Sequence, residues 1–382
     1  MSKFGVVLTG GGARAAYQVG VLKAISDMYP DWDHPFQIII GTSAGAINAM
    51  ALAGNQGLFR HNIAHLSKIW SELSMDQVFR ADTFGLMRNM SSIARKILTR
   101  PSEGGPVSFL NNAPLRKLLE REINFANVRN AIASGQIDAV GINACGYASG
   151  QNVCFFEGKE GLESWSLGQR AGSRCELGLD HIMASSAIPT LFPPVKIHRE
   201  YFGDGVTRQM AHISPALRLG ANKVLVLGVS ANAMCPPERP DHPDIPTMPQ
   251  VLAHVFNGMF LDTLDYDIDR LRLINQLLAL VPEEKLNESN LNLERVELLE
   301  ISPSEPINDL AMKYVDGLPL VLRRLTGATP GASNASVANL ASYLLFDARF
   351  CKALITLGYR DGQSHANQIA RFFDRDDNSA SG

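Results

Sequence analysis

Along this chain, short apolar runs alternate with longer segments whose apolar residues recur every three or four positions. That is the pattern of strands joined by helices. Phe4-Gly5-Val6-Val7-Leu8 predicts a buried strand, and Tyr17, Val21, Leu22 and Ile25 predict the helix after it. Phe36-Gln37-Ile38-Ile39-Ile40 predicts a second strand, and Ala46 to Ala53 a second helix. Residues 56 to 125 read as helical and as a cap. Ile137 to Ala144 and Asn152 to Phe156 read as strands paired through Ala148-Ser149-Gly150. His181 to Ile188 starts as a helix that Pro189 stops. Lys196 to Tyr201 predicts one short strand ending at Phe202-Gly203-Asp204-Gly205, and Lys223 to Ser230 a buried one. Helical spacing then covers Val251 to Val281, Ile307 to Leu325 and Ala338 to Leu357, with a strand at Val296 to Ile301. Cys235 to Pro249 and Thr329 to Ser336 read as linkers, and Asp374 to Gly382 as a disordered polar tail.

Composition narrows the setting. The chain has 382 residues, 46% of them hydrophobic, enough for a large core. A net charge of −3 gives no reason to expect nucleic acid as a partner. Five scattered cysteines, with no C-x-x-C pair, argue against a disulfide framework or zinc site and fit a reducing compartment. The apolar run behind Lys3 is too short for a secretory signal, and no stretch is long enough to span a bilayer. The expectation is a cytoplasmic protein able to visit the inner face of a membrane. One stretch bears on that. Phe84, Met87, Met90, Ile93, Ala94 and Ile97 share a helical face flanked by Arg88, Arg95, Lys96 and Arg100. Such a helix can lie on anionic lipid, or simply cover the core with solvated arginines.

Two strand-to-helix junctions carry candidate chemistry. Gly41-Thr42-Ser43-Ala44-Gly45 has the G-x-S-x-G pattern of a nucleophile elbow, in which small residues let the serine project from a sharp turn. A helix N-terminus behind it favours developing negative charge. Thr9-Gly10-Gly11-Gly12-Ala13-Arg14 frees several backbone N–H groups to face one anion. Gly10, Gly12 and Ala15 fit a dinucleotide fingerprint, with Asp31 or Asp33 near the acidic position, but the same loop also suits an oxyanion hole. The Walker A pattern fails, since no Gly-Lys-Ser/Thr follows. An elbow on the next strand is what an acyl hydrolase needs. A serine nucleophile also needs a base. Of nine histidines, His181, His198 and His212 are placed plausibly, though none sits in a marked setting. Asp204, between Gly203 and Gly205 at a strand end, is either an accessible carboxylate or a plain Asp-Gly turn.

These residues resemble the bacterial patatin-like phospholipases. Four blocks stand in that family's order: Gly10-Gly11-Gly12-Ala13-Arg14, Gly41-Thr42-Ser43-Ala44-Gly45, Ala184-Ser185-Ser186-Ala187-Ile188-Pro189 with Phe192-Pro193-Pro194, and Asp204-Gly205. Leu340 to Gly358 is similar to the C-terminal region of a subset of bacterial members. The resemblance implies an α/β fold of three layers, α/β/α, with a mainly parallel central sheet. It implies a catalytic domain at 1–235, a helix-rich C-terminal region at 236–373 packed on it, and a tail at 374–382. It further implies a Ser–Asp dyad without histidine. Ser43 would be the nucleophile and Asp204 the base, with an oxyanion hole from Gly11 and Gly12 together with Gly10. Arg14 would brace that loop or meet a phosphate. The implied activity is lipid acyl hydrolysis of the phospholipase A, lysophospholipase or carboxylesterase type, with phospholipid or another acyl ester as substrate and no cofactor or metal. An acyltransferase or thioesterase on the same dyad, a non-catalytic lipid-binding module and a dinucleotide-binding enzyme are the rival readings. The oligomeric state stays open, a homodimer included. Two positions depart from the family: Ala15, where glycine is frequent, and Val206, where Asp-Gly-Gly or Asp-Gly-Ala is frequent. They bear on substrate preference more than on activity.

Overall fold

The computed structural model describes residues 2–54, 57–80, 108–231, 262–282, 294–320 and 335–374, together with residues 245, 251, 254, 258, 285, 286, 322 and 323. The basic stretch at 83–100, the loop at 101–106, nearly all of the 235–249 linker, most of the 329–336 linker and the tail beyond Asp374 lie outside these residues.

Among the described residues one sheet holds ten strands: β1 (Phe4–Leu8), β2 (Ile38–Thr42), β3 (Ala139–Gly146), β4 (Asn152–Gly158), β5 (Trp165–Leu167), β6 (Arg170–Arg174), β7 (Val195–Ile197), β8 (Glu200–Asp204), β9 (Lys223–Leu227) and β10 (Glu297–Ile301). Their order is β10-β9-β1-β2-β3-β4-β6-β5, and the β7–β8 hairpin joins at β3. From β10 to β3 every pairing is parallel. Parallel strands are covered on both faces, so they read as unbroken apolar runs. Alternate residues here enter two separate cores. Val6, Leu8, Ile39, Leu225 and Leu227 face one, while Val7, Ile38, Ile40, Val224 and Val226 face the other.

Among the described residues, the helices of seven or more residues are α1 (Ala16–Met28), α2 (Ala44–Ala53), α3 (Phe59–Ser71), α4 (Ala113–Glu122), α5 (Phe125–Ala133), α6 (Leu179–Ser185), α7 (Asp262–Ala279), α8 (Ala335–Leu344), α9 (Ala348–Ser364) and α10 (Ala366–Phe373). Tyr17 and Leu22 of α1, Met50 of α2, Trp70 of α3 and Leu354 of α9 fill the first core. Leu264, Ile268 and Leu271 of α7, with Ile213 and Ala216, fill the second. The result is the three-layer α/β/α order. α1 and α9 meet backbone to backbone. A Cβ on Gly20 would stand 2.1 Å from Ile355 O, and one on Gly358 2.1 Å from Tyr17 O, so any larger residue would push the helices apart.

Three predicted elements differ in detail. The single strand expected at 196–201 is a hairpin, β7–β8, turning at His198 and Arg199, with His198 at φ 53°. The helix expected across Ala338 to Leu357 is two helices. Asp347 ends the first run by capping the second: its side chain accepts a hydrogen bond from Arg349 N–H. The helix expected across Ile307 to Leu325 stops at Met312, and a 3-10 turn at Val315–Gly317 precedes Pro319. Strands β5 and β6 carry no strong apolar signal and were not foreseen.

Candidate active site

Between β2 and α2 the chain turns within one residue, Ser43, at φ 55° and ψ −127°. Backbone this far from the usual wells is strained, and its neighbours must hold it. Gly41 and Gly45 make the turn sterically possible. A Cβ on Gly41 would lie 2.5 Å from Ala46 Cα, and one on Gly45 2.2 Å from Leu8 O. Ser185, at the end of α6, secures the turn. Its Oγ accepts from Ser43 N–H at 2.8 Å and donates to Asn143 O at 2.6 Å. Sequence reading placed Ser185 in a motif without finding this role. No spacing signal reveals it.

Strand β3 explains how Ser43 and Asp204 meet across 161 sequence positions. Thr42, the last residue of β2, pairs with Asn143. The next residue of β3, Ala144, pairs with Asp204, the last residue of β8. Since β4 occupies the other edge of β3, β8 takes over the edge that β2 leaves. One strand therefore sets both ends at adjacent registers. Ser43 Oγ donates to Asp204 Oδ2 at 2.6 Å, and Asp204 Oδ1 accepts from Val206 N–H at 3.0 Å. Ser43 is 2% exposed and Asp204 0%. Burial pushes the Asp204 carboxyl up to about 7, while the bonds from Ser43 and Val206 pull the other way.

The glycine loop borders the same point. A Cβ on Gly10 would stand 2.4 Å from Val206 Cγ2 and 3.0 Å from Ser43 Cβ, so Gly10 lies against both the serine and the residue that bonds Asp204. Gly12, at φ 55°, opens a 3-10 turn running to Ala15, and a Cβ there would meet Tyr343 O at 2.2 Å. Among the described residues, no hydrogen bond leaves the N–H groups of Gly10, Gly11 or Gly12. Arg14 binds the C-terminal segments. It donates to Ser342 Oγ at 2.7 Å, Asn308 Oδ1 at 2.7 Å and Ser230 Oγ at 3.2 Å, and stacks over the Tyr343 ring at 4.2 Å. Its contacts are those of a brace between the loop and the C-terminal helices.

The three histidines sit elsewhere. His181 Nδ1 accepts from Gly178 N–H, and its ring lies against Phe155. His198 is exposed in the β7–β8 turn. His212 is buried, bonded to Thr263 Oγ1 at 2.9 Å, and pushed down to about 4 by burial. Ser43 does line a cavity of about 380 Å3. It follows one face of α2, where Ala44, Ile47, Met50, Ala51 and Gly54 recur at helical spacing. Leu66 and Trp70 of α3 and Leu115 and Leu118 of α4 form its opposite wall. The sequence reads this region as a cap but does not show the cavity, because it forms only where α2 and α3 meet the distant α4.

The chain belongs to the patatin-like phospholipases: the family model described as Patatin-like phospholipase matches residues 6–217. No curated protein matches it. Among solved structures it is similar to human GIVD cytosolic phospholipase A2 in complex with methyl gamma-linolenyl fluorophosphonate. Identity there is 13% and the TM-score 0.47, covering 97% of this chain and 59% of that one. It is also similar to VipD from Legionella pneumophila, at 12% identity and TM-score 0.37, covering 97% of this chain and 67% of VipD. The chain thus spans somewhat over half the length of the human enzyme.

Proposed function

We propose that this protein is a lipid acyl hydrolase that cleaves carboxylic esters through an acyl-enzyme on Ser43, with Asp204 as base. The observation that carries the reading is the 2.6 Å bond from Ser43 Oγ to Asp204 Oδ2, made at the buried end of an apolar cavity. Ser43 Oγ attacks the ester carbonyl carbon and gives its proton to Asp204. The N–H groups of Gly11 and Gly12, with Gly10, hold the oxyanion, and the N-terminus of α2 favours the same charge. Collapse of the tetrahedral intermediate breaks the carbonyl–alkoxy bond, and Asp204 protonates the departing alcohol. Water then attacks the acyl-enzyme, giving its proton to Asp204, and collapse returns Ser43 and a fatty acid.

Aspartate of ordinary pKa is a poor base at neutral pH. A value near 7 brings it close to the optimum for general-base catalysis. Family membership supports a lipid ester as substrate: a glycerophospholipid, a lysophospholipid or a simpler acyl ester. The proposal includes peripheral contact with a membrane from the cytoplasm. Among the described residues no helix is long and apolar enough to cross one. It includes, too, a catalytic domain at 1–235 completed by a helix-rich region at 236–373. Fatty acid release from phospholipids, lysophospholipids and p-nitrophenyl esters, run beside Ser43→Ala, tests the reading. Release that depends on Ser43 supports it, and equal release by the variant overturns it. Product analysis with added alcohol or thioester would expose an acyltransferase or thioesterase instead.

A further inference from the structure

The cavity beside Ser43 has two unlike ends. Its lining follows α2 from Ser43 to Gly54, and at about 1.5 Å per residue that is about 16 Å. The direction of α3 fixes what lies at each end. Trp70 Nε1 donates to Asn48 Oδ1 midway along α2, whereas Asn62 Nδ2 donates to Ala51 O near its finish. α3 therefore runs back toward Ser43, leaving His61, Asn62 and His65 at the far end. Glu122 joins them, pairing with His65 at 3.3 Å. Asn124 O lies 3.3 Å from where a Gly54 Cβ would be. Ser43, Ser186, Ile188 and Phe192 at the near end are buried, while His61, His65 and Asn124 are exposed. The C-terminal end of α2 thus marks the exposed, polar end of the cavity. The wall between is apolar.

We propose that α2 acts as a ruler for the acyl chain. The carbonyl sits at Ser43, the chain runs past Ile47, Met50 and Ala51, and the polar collar of His61, Asn62, His65, Glu122, Asn124 and Asn127 marks its end. With a carbon–carbon bond of about 1.5 Å advancing about 1.25 Å per carbon along an extended chain, 16 Å holds about twelve carbons. The substrate class is then esters of medium-chain acids. The physical reason is where burial stops. Each methylene added inside the wall leaves water and gains up to about fourfold in binding. A methylene beyond the collar lies among charged and polar side chains and in water, and gains nothing. Longer chains are tolerated but not rewarded, while shorter ones leave apolar wall unfilled.

This inference rests on Ser43 being the nucleophile, so its test has an arm that needs no turnover. In the first arm, kcat/KM is measured for monomeric p-nitrophenyl esters from C4 to C18. It should climb to about C12 and then flatten or fall. In the second, C6 to C18 fatty acids are titrated into Ser43→Ala by calorimetry, and affinity should break at the same length. Two variants move the mark. Ala51→Phe, about two turns along α2 from Ser43, should cut the C12/C4 ratio at least tenfold. Glu122→Leu, at the half-buried part of the collar, should extend the climb by about two to four carbons. Affinity that rises without a break to C18, or shows no length dependence, overturns the ruler. So does a length dependence on the alcohol of alkyl acetates rather than on the acid. Esters hydrolysed equally by Ser43→Ala would defeat the nucleophile alone, and the ruler would then stand or fall on the binding arm.

Discussion

Two ionisable side chains are buried beside the glycine loop, an outer one against the C-terminal segments and an inner one against Ser43, and the fold treats them in opposite ways. On the outer side Arg14, 2% exposed, has Ser342, Asn308, Ser230 and the Tyr343 ring around its guanidinium. That is a charge saturated with partners, and it ties the loop to segments about 200 to 330 residues away in sequence. On the inner side Asp204 accepts from Ser43 Oγ and Val206 N–H. A carboxylate offers roughly four acceptor sites, so about half its capacity is used. Arg14 holds a shape. Asp204 is left able to take a proton, and burial sets its pKa near 7 for the same reason. The contrast teaches how to tell an architectural charge from a reactive one: count the partners before reading the pKa.

If that division is right, the largest effect comes from the inner side. Ser43→Ala should lower kcat by about 10⁴-fold or more, with loss of any acyl adduct in intact mass spectra. Asp204→Asn should lower kcat by about 10³- to 10⁴-fold, close to the serine variant, because the parts of one catalytic unit do not add. The double variant should be no worse than either alone. Losses that multiply instead would mean the two groups act separately, and the comparison would fail.

The outer side should respond in stability, not in chemistry. Arg14→Ala leaves neutral buried partners unsatisfied, which costs about 1–3 kcal/mol of unfolding free energy in chemical denaturation. Turnover per folded molecule, titrated with a fluorophosphonate, should stay within about tenfold. A fully folded Arg14→Ala protein with no activity would place the arginine on the reactive side.

The next effect depends on pH. The Asp204 carboxyl titrates near 7 in the fold, above its ordinary 3.8, so the folded state holds this proton more tightly than the unfolded chain does. Ionising it therefore weakens the fold progressively from about pH 4 to about pH 7. Asp204→Asn removes that penalty. The variant should be more stable than the parent by about 1–4 kcal/mol at pH 8, with the gap closing toward pH 4. Activity runs the other way: kcat/KM of the parent should rise about tenfold per unit below pH 7 and level off above it. A flat profile across pH 5 to 8 would separate the reaction from this carboxyl.

Much of this arrangement is legible in the sequence, for definable reasons. β1 and β2 are buried on both faces, so their runs are unbroken and their ends clear. The elbow glycines are forced by backbone contact, and forced residues make readable motifs. The partnership of Ser43 with Asp204 came from resemblance alone. It depends on register along β3, which no local pattern records. For Arg14 the sequence leaves a brace and a phosphate contact both open, and its partners at 230, 308 and 342 cannot be read from it. The β7–β8 hairpin was missed because its turn uses His198 and Arg199, not the usual Asn-Gly or Asp-Gly. β5 and β6 were missed because they are short and mostly not buried. The cavity is not legible because its walls come from α2, apolar nearly all round, and from the apolar faces of α3 and α4, all of which read only as core.

The smallest expected effect is also the sharpest test of a dyad against a triad. If Asp204 takes the serine proton itself, no histidine carries the reaction. His181, His198 and His212 replaced singly by glutamine should each leave kcat within about tenfold, or about 1.4 kcal/mol. Their surroundings predict different side effects. His198 is exposed at φ 53°, and His198→Gly should be neutral or slightly stabilising, since glycine accepts that backbone freely. His212 is buried and held neutral, with Nε2 bonded to Thr263, so its loss should lower stability through one buried hydrogen bond, by about 1–2 kcal/mol. His181 caps the turn before α6, the helix whose Ser185 secures the elbow, so it should show whatever small kinetic effect there is. The readout is the burst of p-nitrophenol that marks acylation, measured for each variant. A histidine whose replacement abolishes that burst in a folded protein would supply the base, and Asp204 would become its orienting partner.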